Sequence, residues 1–110
     1  MRGTAPLKIS AVLFQEEDGA WSGQCLEYDI AAQAKTLHDL RYELQRILIG
    51  HLVASAELGQ EPFMGLEPAP RRFWEMYEQA DVPIPSRQAP FRLPHPAMIP
   101  PLVQDFRISA

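Results

Sequence analysis

A long amphipathic helix is predicted over residues 36–59. Its apolar residues recur at steps of three and four, which places them on one side of a helix with about 3.6 residues per turn. They are Leu37, Leu40, Leu44, Ile47, Leu48, Leu52 and Leu58. Thr36 is a suitable N-cap, and Gly59 followed by Pro62 is a suitable end. Because a helix of this length must bury its apolar side, the remaining chain has to supply a surface for it.

The segment before the helix is predicted to supply that surface as a three-stranded antiparallel sheet. Residues 7–15 and 20–26 are predicted as two strands, because apolar residues alternate along them. Asp18-Gly19 between them is typical of a hairpin turn, which needs a residue with positive φ. Residues 30–35 form a short third strand. Apolar residues lie on both sides of the first strand, so the second face of the sheet is also expected to be partly covered.

The chain changes character after the long helix. Residues 71–80 are predicted as a short second helix, and residues 82–101 hold most of the chain's 11 prolines. Prolines exclude helix there and confine any strand to the edge of a sheet. We interpret residues 82–101 as an extended arm lying on a surface of its own or another subunit. Residues 102–110 are considered as a fourth strand, with Phe106 and Ile108 on one face.

The predicted fold class is therefore α+β, with a β-β-β-α core, a short second helix and a proline-rich C-terminal arm. Residues 1–81 would form the domain, and residues 82–110 would not be an independent one. A net charge of -4 argues against nucleic acid or anionic lipid as a partner. Cys25 is the single cysteine, so no intrachain disulfide can form and a reducing cytoplasm is expected. No apolar stretch is long enough to span a membrane.

The order of hairpin, short third strand and helix beginning after Thr36 resembles the HicB-like antitoxin family. Residues 13–18, the run Gly19-Ala20-Trp21 and residues 34–40 are similar to that family's first strand, acidic glycine turn, aromatic start of the second strand and helix start. The resemblance covers residues 7–55. It implies a partial ribonuclease-H-like fold with a three-stranded antiparallel sheet, a helix across it and often one further strand.

The resemblance also implies a function. Members of this family bind and neutralise a small partner ribonuclease of the HicA type, and they form dimers or higher oligomers. Many carry a C-terminal DNA-binding module, but no helix-turn-helix or ribbon-helix-helix pattern follows the helix in this chain. We therefore expect a non-catalytic, homodimeric protein-binding module, without a cofactor or a small-molecule substrate. It would either bind a toxin-like ribonuclease or be a stand-alone relative with no toxin.

Few residues are candidates for catalysis or metal binding. The acidic residues 16–18 are expected to be solvated turn residues rather than metal ligands. A metal-dependent nuclease on the same scaffold is the enzymatic alternative, but the expected strand carboxylates are replaced by Lys8, Ser10, Ser22 and Gln24. The histidines, His38, His51 and His95, are too far apart in sequence to suggest a shared metal. Cys25 is expected to be a small buried hydrophobe rather than a nucleophile.

An aromatic group is the candidate for partner binding. Phe73, Trp74 and Tyr77 lie on one side of the second helix, and Phe91 lies in the arm. The helix residues are expected to pack on the sheet, which needs covering, and contact with a partner is the alternative. A third hypothesis is a structural interaction protein that uses its proline arm for oligomerisation.

Overall fold

The described part of the chain forms a five-stranded mixed sheet with one helix on each face. The computed structural model describes residues 6–80, 82–84 and 101–109. In chain order the elements are β1 (Leu7–Gln15), β2 (Trp21–Cys25), β3 (Ala31–Ala34), α1 (Leu37–Leu58), α2 (Arg71–Gln79), β4 (Val82–Ile84) and β5 (Leu102–Ile108). The predicted α+β class and the long helix packed on a sheet are therefore confirmed.

The strands lie in the order β3-β2-β1-β5-β4. β1, β2 and β3 form the predicted antiparallel part, whereas β5 pairs with β1 in parallel and β4 pairs with β5 antiparallel. The three predicted strands are present, and β5 lies where a fourth, C-terminal strand was considered. β4 was not predicted, because it belongs to the start of the segment interpreted as an arm, so the count of three or four strands is one too few. Pro83 lies in β4 at the edge, where a missing amide donor is tolerated. Most of the predicted arm, with Phe91 and His95, lies outside the described residues.

Three local signals, one hairpin turn and two helix caps, act as predicted. Gly19 in the hairpin loop has a φ of 92°, and its N–H donates to the carbonyl of Glu16 at 3.0 Å. At the start of α1, Thr36 Oγ1 accepts a hydrogen bond from the N–H of Asp39 at 3.1 Å. At its end, Gly59 adopts the left-handed conformation with a φ of 65°. Residues with a Cβ are strained at positive φ, whereas glycine is not. The hairpin therefore turns at Gly19 and α1 ends at Gly59.

The apolar side of α1 covers one face of the sheet. Leu40, Leu44, Leu48 and Leu52 are buried there with Ile9, Ala11 and Leu13 of β1, Cys25 of β2 and Phe106 of β5. The inclusion of Leu58 in this apolar stripe is wrong, because its side chain is 70% exposed. A helix of this length measures about 33 Å, so α1 extends past the core and Leu58 lies in its overhanging last turn.

α1 packs closely on β2 at Gly23. A Cβ added to Gly23 would lie 2.8 Å from Leu44 Cδ1 and 2.9 Å from Leu13 Cδ2. Contacts this short do not occur between real carbon atoms, so the two leucines occupy the space that a side chain at position 23 would take. The missing Cβ of Gly23 therefore lets the helix approach the sheet.

Two leucines of α1 give a matched test of this core. We expect Leu44→Ala to lower the free energy of unfolding by about 2–5 kcal/mol, because it removes buried methyl groups and leaves a cavity. Leu58→Ala makes the same chemical change on an exposed side chain of the same helix, and we expect a change within about 0.5 kcal/mol. Urea unfolding followed by circular dichroism measures both. Equal losses for the two variants would contradict this packing.

Candidate functional site

The second helix covers the other face of the sheet. Val12 of β1 and Leu26 are buried there together with Ala69. Partly buried aromatic and apolar side chains pack against these three residues, namely Phe14, Phe73, Trp74, Met76 and Tyr77. The structure thus brings together three of the four predicted partner-binding residues, Phe73, Trp74 and Tyr77. They help to form a second, smaller core, which agrees with the expectation that this face is covered.

A polar network fixes the end of α2 to β5. The Tyr77 hydroxyl donates to Asp105 Oδ2 at 2.5 Å, and Asp105 Oδ1 lies 3.6 Å from Arg107 Nε. The Arg107 guanidinium stacks over the Tyr77 ring, with its Cζ 4.2 Å from the ring centroid. Burial, followed by the hydrogen bond to Asp105, raises the pKa of Tyr77, and a hydrogen bond with Ser10 opposes this shift.

Sequence reasoning missed this network. Ser10 and Asp105 become neighbours only because β1 and β5 pair in parallel, with these two residues opposite each other. The apolar pattern of neither strand indicates which other strand it pairs with. Within the network the single carboxylate is already engaged by Tyr77 and Arg107, so its role here is to hold the helix on the sheet.

An open groove lies beside α2, between the helix and the edge of the sheet at β3. Its volume is about 380 Å³, and its lining consists of Phe14, Ser22, Gly23, Gln24, Ala31, Ala32, Gln33 and Phe73. The rings of Phe14 and Phe73 stack with their centroids 6.3 Å apart. Above Phe73 lies the guanidinium of Arg72, with its Cζ 4.6 Å from the ring centroid. Two aromatic rings therefore give the groove an apolar wall with a cation beside it.

Neutral polar side chains line the rest of the groove in defined positions. Gln24 Nε2 donates to Asp29 Oδ1 at 2.8 Å and to the carbonyl of Cys25 at 3.1 Å. Gln33 Nε2 donates to Ser22 Oγ at 3.3 Å. Each side chain is held by a bond to a nearby strand or bend, so the amide and hydroxyl groups present a fixed polar rim. Of the groove residues, only Phe73 was predicted from the sequence to bind a partner.

The other sequence candidates lie apart from the groove. Glu16, Glu17 and Asp18 are exposed in the hairpin loop, where Asp18 Oδ1 accepts a hydrogen bond from the N–H of Ala20 at 2.9 Å. His51 is partly buried, with its ring 5.8 Å from that of Phe63. Among the residues that the structure describes, no group of three or more histidines, cysteines or acidic residues is placed to hold a metal ion.

Cys25 is buried in the core between the sheet and α1. Burial, with a smaller contribution from the charge of Glu27, raises the pKa of Cys25 to about 12. The thiolate is the reactive form of cysteine, so almost none of the reactive species exists at neutral pH in the folded protein. The structure therefore agrees with the prediction that Cys25 is a small buried hydrophobe.

We expect Cys25 to resist iodoacetamide at pH 8 in the folded protein and to react fully in urea. The raised pKa keeps the thiol protonated, and the surrounding core excludes the reagent. Mass spectrometry after timed labelling measures the modified fraction. Labelling of the folded protein at the rate of a free thiol would contradict this burial.

We expect Tyr77→Phe to lower the free energy of unfolding by about 1 kcal/mol, because the hydrogen bond to Asp105 is lost. The pKa of Tyr77 is raised in the folded state above the ordinary tyrosine value of about 10. The stabilisation by this hydrogen bond is therefore complete below that ordinary value. It is lost as the pH rises through the raised pKa. Urea unfolding of both proteins from pH 7 to 11 should show the difference between them shrinking above pH 10. A stability difference that grows above pH 10 would contradict this prediction.

Comparison of the chain with protein-family models, with curated proteins and with solved structures finds no match. Within the described segments, no helix is long and apolar enough to cross a membrane. The chemistry of the groove's own side chains, together with the resemblance noted in residues 7–55, is therefore the basis for assigning a function.

Proposed function

We propose that this protein is a non-catalytic protein-binding module, and that the groove beside α2 binds an apolar segment of its partner. The observation that carries this proposal is the groove's composition, an aromatic wall formed by Phe14 and Phe73 with a rim of neutral amide and hydroxyl groups. This combination of a central aromatic patch and a polar rim is the anatomy of protein interfaces.

Each part of the groove has a role in such binding. The Phe73 ring is partly buried on Phe14, so it is held in place before a partner arrives and loses little freedom on binding. The exposed side of such a ring can pack against an apolar side chain of the partner. Gln33 on the exposed edge can exchange hydrogen bonds with the partner's backbone, because an amide both donates and accepts.

A small basic ribonuclease is the partner that we propose, and the chain would neutralise it by binding. This identity rests on the resemblance of residues 7–55 to HicB-like antitoxins. The net charge of -4 supports it, because an acidic chain attracts a basic partner and speeds their encounter. The metal-dependent nuclease and the proline-arm oligomerisation device stay as alternative hypotheses.

The test is co-expression with the product of the adjacent gene, followed by calorimetry on the purified pair. We expect a stable complex, and we expect RNA cleavage by the partner to stop when the chain is present in equal amount. Phe73→Ala should weaken the complex about tenfold or more, because aromatic anchors dominate interface energies. Loss of inhibition should follow the loss of binding.

Gln79→Ala is the matched control, because Gln79 is an exposed residue of the same helix and does not line the groove. It should bind the partner like the unchanged protein, and both variants should be checked for unchanged thermal unfolding. Equal binding by Phe73→Ala and the unchanged protein would contradict the groove as the site. Cleavage of RNA by the chain alone with Mg²⁺ or Mn²⁺ would contradict a non-catalytic function.

A further inference from the structure

The outer edge of β3 carries peptide groups that no described strand pairs. β3 lies at one end of the sheet, with β2 as its neighbour. The N–H of Cys25 donates to the carbonyl of Ile30 at 2.8 Å, so this carbonyl points toward β2. Because directions alternate along an antiparallel ladder, the peptide groups of Ala32 also point toward β2, and those of Ala31 and Gln33 point away from it. Both Ala31 and Gln33 are exposed.

The same two residues line the groove beside α2. Ala32 packs against the core under α1. Side chains alternate between the two faces of a sheet, so Ala31 and Gln33 lie on the opposite face, where both belong to the groove lining. The open edge of β3 and the groove are therefore one continuous surface, with backbone hydrogen-bonding groups along its border and an apolar hollow beside them.

The described residues leave this edge free to accept a strand. Proteins commonly block an edge with a charged side chain or a proline, and β3, with the sequence AAQA, has neither. The Gln33 side chain turns toward β2, where its Nε2 lies 3.3 Å from Ser22 Oγ. At the other end, the N–H of Asp29 donates to the carbonyl of Glu67 at 2.7 Å. The available edge therefore begins at Ala31.

We propose that a segment of the partner adds to β3 as an antiparallel strand and places one large apolar side chain in the groove. This inference rests on the proposed protein-binding function and states how the partner is held. Two residues of the segment face Ala31 and Gln33, and each exchanges two backbone hydrogen bonds with the residue that it faces. In this mode of recognition the backbone bonds provide affinity, and alternate side chains provide specificity.

The groove determines which side chains the segment carries. Ala31 is small, so a large apolar side chain facing it can lie over its methyl group toward the ring of Phe73. The Arg72 guanidinium lies over the outer side of that ring, and within the described residues it forms no ion pair. Phe14, on which Phe73 stacks, lies in one cross-strand row with Gln33. Charge complementarity therefore places an acidic residue just before the residue that faces Gln33.

A synthetic peptide with these properties tests the pairing by NMR titration of the full chain. The probe is the capped hexapeptide Asp-Thr-Thr-Val-Phe-Val, and its control carries an N-methyl group on the phenylalanine. Methylation keeps every side chain but removes the N–H that donates to the carbonyl of Ala31. We expect the control to bind about tenfold more weakly or less. Equal affinities, or no binding by the probe at about 10 mM, would overturn strand addition.

A matched pair of variants tests the edge from the side of the protein. Gln33→Pro removes the outward N–H and leaves the pairing with β2 intact, because that N–H is not part of the ladder. Gln33→Ala removes the same side chain but keeps the N–H. We expect Gln33→Pro to bind the probe about tenfold more weakly and Gln33→Ala to bind it within about threefold of the unchanged chain. Thermal unfolding shows that both variants are folded, and equal binding by the two would contradict the proposal.

Hydrogen exchange separates this proposal from the proposed function. In the complex with the product of the adjacent gene, we expect the N–H groups of Ala31 and Gln33 to exchange about tenfold more slowly or less than in the free chain. The N–H of Ala32 bonds to β2 and should be protected in both states. A complex in which Ala31 and Gln33 exchange as in the free chain would overturn strand addition and leave the binding function standing. Binding of the probe without any complex would contradict the proposed partner alone.

Discussion

The close approach of α1 to β2 at Gly23 is the constraint on which the rest of the structure depends. Because Gly23 has no side chain, Leu44 of the helix meets Leu13 of the central strand directly over the sheet. That contact sets the height of α1 above the strands, and the other leucines of its stripe then reach the core. A side chain at position 23 would force the ends of the Leu44 and Leu13 side chains to move within this core.

The central strand β1 serves two cores at once. Its residues Ile9, Ala11 and Leu13 face α1, and Val12 and Phe14 face α2. The second core is smaller and is closed by polar contacts at its rim, among them the bond from Tyr77 to Asp105. α2 leaves part of this face open beside β2 and β3, and the groove follows from that incomplete cover. The candidate function therefore comes from a short helix on a wider sheet.

Local signals were enough to predict much of the fold. The caps at Thr36 and Gly59 and the hairpin at Gly19 each act through the backbone of a few neighbouring residues, so their positions can be read from the sequence. The pairing of β1 with β5 could not be predicted, because it joins distant segments and leaves no local pattern. The exposure of Leu58 was missed for a related reason, since periodicity does not reveal where the underlying sheet stops.

The candidate site was predictable only in part. The aromatic cluster on α2 was visible as a pattern, and the expected packing of Phe73 on the sheet is observed. Phe73 packs on Phe14 and also forms one wall of the groove. The amide rim was invisible, because Gln24 and Gln33 are ordinary strand residues until the bend at Asp29 and the neighbouring strand bring them together.

The parallel pairing of β1 with β5 has a consequence for biosynthesis. Leu7 pairs with Leu102, so the central strand leaves the ribosome well before its neighbour β5, which lies far along the chain. During that interval one side of β1 has no strand to pair with, although its hairpin with β2 can already form. The nascent chain thus presents an open, apolar strand edge to chaperones and to other nascent chains until β5 pairs with it.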